Sequence, residues 1–147
     1  MGRRLRTAIA AVLLLAAVGA CSGRPSAYAA TFGAGCVDGT RTADGAAQGS
    51  IKAGPLAVNT THWRGPRGAK FWVGSTRPQP PTGATIVAER LNGPAAPVRV
   101  ERGVDQIATV ADLQLFYPGL VRLPEPGRWK LTVTIGQDTG CFVVAVA

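Results

Sequence analysis

Trp129-Lys130-Leu131-Thr132-Val133-Thr134-Ile135 alternates without error between apolar and polar residues. Trp129, Leu131, Val133 and Ile135 fall on one face of an extended chain, and Lys130, Thr132 and Thr134 on the other. That period of two marks a half-buried strand. Pro124-Glu125-Pro126-Gly127 supplies a stop and a corner before it. Gly136-Gln137-Asp138-Thr139-Gly140 reads as a five-residue turn after it. Cys141-Phe142-Val143-Val144-Ala145-Val146 then returns, apolar on both faces as a central strand would be.

Upstream, the β-like pattern begins at about Ile51. Pro55 to Thr60 can hold a short strand, and Ala69-Lys70-Phe71-Trp72-Val73 is a stronger one. Thr85 to Arg90 and Val98 to Arg102 are strand-like, separated by the turn signal Leu91-Asn92-Gly93-Pro94. Gln106 to Tyr117 fits neither the helical nor the strand period, and Ala111-Asp112-Leu113 suits a helical turn. Eleven prolines and nineteen glycines in 147 residues argue against any long helix in the domain. The length itself predicts one compact domain.

The run Pro126-Gly127-Arg128-Trp129, continued through Leu131 and Val133 and followed by Phe142 and Val144, resembles the closing hairpin of immunoglobulin-like sandwich domains in secreted bacterial proteins. The resemblance covers about 25 residues. It implies an all-β fold, a small immunoglobulin-like sandwich of about seven strands over residues 36–147. A small β-barrel is the alternative.

Residues 1–20 read as an export leader rather than as part of the fold. Arg3, Arg4 and Arg6 precede an unbroken apolar run from Ala8 to Val18, which is too short for the roughly 20 residues a membrane span needs. Val18-Gly19-Ala20-Cys21 resembles the lipobox of bacterial lipoproteins. In that family the Cys thiol receives a diacylglycerol and a peptidase cuts before it, so the resemblance assigns lipidation to Cys21. Arg3-Arg4 resembles a twin-arginine signal, but Arg6-Thr7 stand where that signal has Phe-Leu, which favours general secretion. Two fatty chains, at about 0.8 kcal/mol per buried CH₂, hold a protein on a bilayer for practical purposes permanently. Residues 21–35 form the lipidated Cys and a flexible tether poor in large aliphatic side chains. Fourteen residues from Ser22 to Gly35 reach at most roughly 45–50 Å.

Without Cys21 two cysteines remain, Cys36 and Cys141. An even pair in an exported chain predicts a disulfide. It would tie the start of the domain to its last strand.

Removing the leader takes away three arginines and leaves 13 basic against 8 acidic residues, a net +5 rather than +8. That moderate excess favours proximity to anionic headgroups or acidic wall polymers. It does not point to nucleic acid. Arg outnumbers Lys 13 to 3 amid abundant Ala, Gly and Pro, a bias that resembles chains of GC-rich actinobacterial genomes.

Chemistry-bearing residues are sparse. One His, one Met and three Cys leave no set for a transition metal or a cluster, so no cofactor is expected beyond the covalent lipid on Cys21. His62 would have to serve any Ser-His-Asp or Cys-His arrangement, and it lacks a nucleophile-elbow context. Glu89, Glu101, Asp105 and Asp112 are scattered. Gly33-Ala34-Gly35 begins like a phosphate-binding loop and fails at Asp38. Asn59-Thr60-Thr61 is a glycosylation sequon by letter only. Between His62 and Trp72 three cations mix with three aromatics, which makes Trp63, Arg64, Arg67 and Lys70 the candidate ligand surface. The competing reading puts Phe71 or Trp72 in the core and leaves the cations solvated. Thr76 to Gly83 is a polyproline-like loop that reads as a stiff connection, with partner binding as the alternative.

Two functions follow. The first is a membrane-anchored, non-catalytic binding or structural module on the outer face of the cell membrane. Its partners would be the bilayer and an envelope protein or acidic wall polymer. The second is an accessory cell-wall hydrolase or transferase with a site built from the dispersed acids.

Overall fold

The computed structural model describes residues 35–147 apart from Ala43, Ala111 and Asp112. The leader, the lipobox and Cys21, and nearly all of the tether lie outside the described residues. The described chain is all-β. Its strands are β1 (Val37–Asp38), β2 (Ala46–Gln48), β3 (Ile51–Gly54), β4 (Ala69–Ser75), β5 (Ala84–Arg90), β6 (Val98–Arg102), β7 (Ala108–Val110), β8 (Leu113–Val121), β9 (Gly127–Ile135) and β10 (Asp138–Val146). They form two five-stranded sheets, ordered β1-β10-β9-β5-β6 and β2-β3-β4-β8-β7. All neighbours are antiparallel except β1 and β10.

The strand pattern dictates how the sheets meet. Trp129, Leu131, Val133 and Ile135 of β9 are fully buried, as their alternation requires. Phe142, Val144 and Val146 of β10 and Ala84, Ile86 and Ala88 of β5 extend the same inner face. The other sheet answers with Ile51 and Ala53, Phe71 and Val73, and Leu115 and Tyr117, and both faces share one core. Each fully buried aromatic or large aliphatic side chain contributes about 1.5–3 kcal/mol relative to exposure. The Pro124–Gly127 corner is fastened from inside, because the Trp129 indole donates to the Glu125 carbonyl at 2.9 Å. On the side between β6 and β8, the Arg102 guanidinium donates to the Leu120 carbonyl at 3.0 Å and joins the two sheets.

Among the described residues ten strands stand where about seven were expected. Seven of them have four residues or more; β1, β2 and β7 have two or three. A period of two is invisible in so short a run, and only pairing with a neighbour reveals these strands. Pro55 to Thr60 is not a strand but holds a 3-10 turn, Ala57–Asn59. Pro55 lacks the N–H a ladder needs, and the buried Asn59 side chain donates to the Pro55 and Lys70 carbonyls at 2.8 and 3.0 Å. The described part of the ambiguous stretch from Gln106 resolves into a 3-10 turn (Val104–Gln106), β7 and β8, and Ala111 and Asp112 of the expected helical turn lie outside the described residues. A register shift between Ala108 and Val110 breaks its periodicity.

The expected five-residue turn is a two-residue one. β10 starts at Asp138, and Thr139 already pairs with Thr134. Gly136 takes φ +58°, the conformation that a tight hairpin asks of its first loop residue. β10 lies between β9 and the two-residue β1, so it is not deeply central. Its outward Val143 is nevertheless buried, beside the 3-10 turn Gly39–Arg41. Cys36 and Cys141 are joined, with Cα atoms 4.7 Å apart across 105 residues of sequence. The bond holds β1 in register on β10, Val37 opposite Phe142.

Candidate binding face

The stretch singled out for ligand contact is divided by the fold. Trp63, in the 3-10 turn His62–Arg64, is fully buried and meets Phe71 edge-on, with ring centroids 5.4 Å apart at 61°. Its carbonyl accepts from Leu123 N at 2.8 Å. Trp63 therefore belongs to the core and cannot stack on a ligand, which corrects its assignment to the candidate surface. The reason is the amphipathic turn. His62 and Arg64 stay exposed while the residue between them points inward. The Arg64 guanidinium donates to the Ala147 carbonyl at 3.3 Å. Arg67 is exposed in the turn before β4, and Lys70 is exposed on β4.

On β4 the alternation splits the next two aromatics. Phe71 and Val73 enter the core; Lys70, Trp72 and Gly74 face outward. Trp72 is half-buried on that outer face beside Phe116 of β8, with ring centroids 5.7 Å apart and planes tilted by 33°. Both rings line a groove of about 540 Å³ together with Lys52, Asp44, Ala47 and Leu113. That size suits a small organic ligand or a segment of a polymer.

Small residues carve the groove. In register, Gly54 lies opposite Trp72, and Gly74 lies opposite Phe116 on one side and Lys52 on the other. A Cβ at Gly54 would stand 3.1 Å from Trp72 Cζ2 and 2.6 Å from the Asp44 carbonyl oxygen. A Cβ at Gly45 would stand 3.3 Å from the same ring atom. The six-membered ring of Trp72 is thus bedded on backbone, held by contacts on one side while it lines an open groove on the other. Phe116, Leu113 and Lys52 were not found by sequence reasoning. Phe116 lay in the stretch whose periodicity the β7–β8 shift obscures. For Trp72 the signal was present, because adjacent residues of a strand cannot share a face.

The other end of β4 carries a polar network. Asp138, 6% exposed, accepts from the Ser75 hydroxyl at 3.2 Å and pairs with Arg77 Nε at 3.1 Å. The Ser75 oxygen accepts from Arg77 N at 3.1 Å. His62 does not join this pair. Its neighbour Trp63 packs on Phe71, and four residues of strand, about 13 Å, separate Phe71 from Ser75. The dispersed acids are also apart. Glu89 pairs with Lys130, and Glu101 pairs with Arg99 at 2.8 Å. Asp105 is exposed, and Asp112 lies outside the described residues.

Among the described residues, the Asp38 carboxyl and the Tyr117 phenol are shifted from their ordinary values. Hydrogen bonds from the Thr40 side chain and backbone lower the Asp38 carboxyl. Burial raises the Tyr117 phenol, which donates to the Thr82 carbonyl. Neither lies in the groove, so both serve the fold.

No family model, no curated protein and no solved structure matches the chain.

Proposed function

We propose that this chain is an extracytoplasmic lipoprotein, anchored through lipid on Cys21 to the outer face of the cell membrane. Its β-sandwich is a non-catalytic binding module of the envelope, and the Trp72–Phe116 groove is its ligand face. The Cys36–Cys141 bond carries the reading. It suits an oxidising compartment and leaves Cys21 as the odd cysteine, at the position where the lipobox resemblance requires a free thiol. The tether then keeps the domain within at most roughly 45–50 Å of the bilayer.

Mass spectrometry of the membrane fraction tests it. The expected N-terminal peptide begins at Cys21 and carries a diacylglycerol, and Cys21→Ala releases the protein from the membrane or leaves the leader uncut. A wild-type chain recovered in the soluble fraction with position 21 unmodified would overturn the anchor.

A further inference from the structure

We propose that the Trp72–Phe116 groove takes a pyranose segment of an anionic polysaccharide. The inference rests on the reading of the domain as an envelope binding module and names its ligand class. It starts from the two rings. They stand 5.7 Å apart at a shallow 33°, and both line the groove. The C–H faces of a pyranose carry partial positive charge and match the negative face of an aromatic ring. Two tilted rings offer contact to successive sugars of a twisted chain. Trp72 is already immobilised on Gly54 and Gly45, so little side-chain freedom is lost on binding.

Charge selects among occupants. Lys70 projects, exposed, from the same outer face of β4 two residues from Trp72. The chain after its leader also carries a positive excess, 13 basic to 8 acidic residues. A second copy of this chain would bring the same excess and be repelled. A peptide that binds by adding a strand would need an open strand edge, and a proline-rich peptide that docks on aromatic rings carries no negative charge of its own for Lys70 to meet. The groove instead lies on a sheet face, and the nearest edge strand, β2, has three residues. An acidic sugar polymer satisfies both the stacking and the charge.

The full-length chain in non-ionic detergent is tested with polygalacturonate, alginate and hyaluronate, with dextran as the neutral control. The chain holds three tryptophans, and Trp63 and Trp129 are fully buried, so a saturable change in emission reports Trp72. At least one anionic polymer is expected to produce it and to retard the protein in affinity electrophoresis. Retardation should weaken at least tenfold in Trp72→Ala, several-fold in Lys70→Gln and progressively with salt, and dextran should give little. Lys70→Gln alters an exposed side chain, so its effect does not depend on folding. Absence of binding by all three polymers, equal retardation of Trp72→Ala, or equal binding of dextran overturns the proposal. Self-association that Trp72→Ala abolishes also overturns it, in favour of a second copy. None of these results bears on the lipid at Cys21, so the two readings fail separately.

Discussion

The Ser75 hydroxyl donates to the Asp138 carboxylate at 3.2 Å across the interior of the sandwich, joining the last residue of β4 to the first of β10. The two sheets are thereby pinned at this end by a directed bond in the interior, as Arg102 and Leu120 pin them at the side between β6 and β8. Arg77, whose side chain is 62% exposed, completes the charge pairing from the solvent side.

Asp138→Ala should therefore cost more than Arg77→Ala. Loss of the buried acceptor strands the Ser75 hydroxyl and removes the ion pair, a cost of about 1–3 kcal/mol. Loss of the exposed guanidinium leaves Asp138 its Ser75 donor and should cost about 1 kcal/mol or less. Urea midpoints of the two variants check the order; equal midpoints would mean that the Ser75 bond contributes nothing.

Trp63 and Trp72 are nine residues apart and should behave in opposite ways. Trp63→Ala empties a fully buried site and should destabilise by about 3–5 kcal/mol. Trp72→Ala, on the outer face, should cost less than half as much. Thermal denaturation of the two variants decides the matter. A greater loss for Trp72 would place the wrong ring in the core.

Reduction of Cys36–Cys141 opens a loop of 105 residues in sequence. In the chain-entropy account the bond contributes on the order of 4–5 kcal/mol, much of a small domain's stability. A Cys36→Ser, Cys141→Ser chain should unfold at markedly lower temperature than the oxidised protein and should not respond to dithiothreitol. A wild-type melting curve unchanged by reductant would contradict this.

Alkaline pH should weaken the fold through Tyr117. Burial raises its folded pKa, so the unfolded chain loses the phenolic proton first, near pH ~10. Between the unfolded and folded values the native state binds more protons, and stability falls as pH rises. Below the unfolded value the term is constant. Tyr117→Phe should flatten this limb in a denaturation series from about pH 8 to 11. Asp38 works in the opposite direction. Its lowered carboxyl stabilises the fold above the ordinary aspartate range, and that contribution fades as acid protonates it.

The all-β class and the β9 face were legible in the sequence. Each depends on neighbouring residues alone: the alternation of Trp129 to Ile135 needs no knowledge of the rest of the chain. The Cys36–Cys141 partnership followed from counting, once Cys21 was set aside. Other features depended on pairing. β1, β2 and β7 are too short to carry a period, and the shift at Ala108–Val110 hid the face on which Phe116 stands. Asn59 turned a β-prone run into a 3-10 turn because two carbonyls, one of them eleven residues away at Lys70, came within reach of its amide.

What the sequence determined by itself is which residues can share a face of a strand, because that is set by backbone geometry within a few residues. What the tertiary structure decided is which of those faces meets another sheet and which meets water. Trp63 lies between His62 and Arg64 and Trp72 between Phe71 and Val73, yet it is the ring with the polar neighbours that is buried. One closes a core because Phe71 and Leu123 come together around it, and the other walls a groove because Gly54 and Phe116 leave its strand uncovered. The difference arises between segments far apart in the chain, where burial is a property of the assembled sheets and not of any one strand.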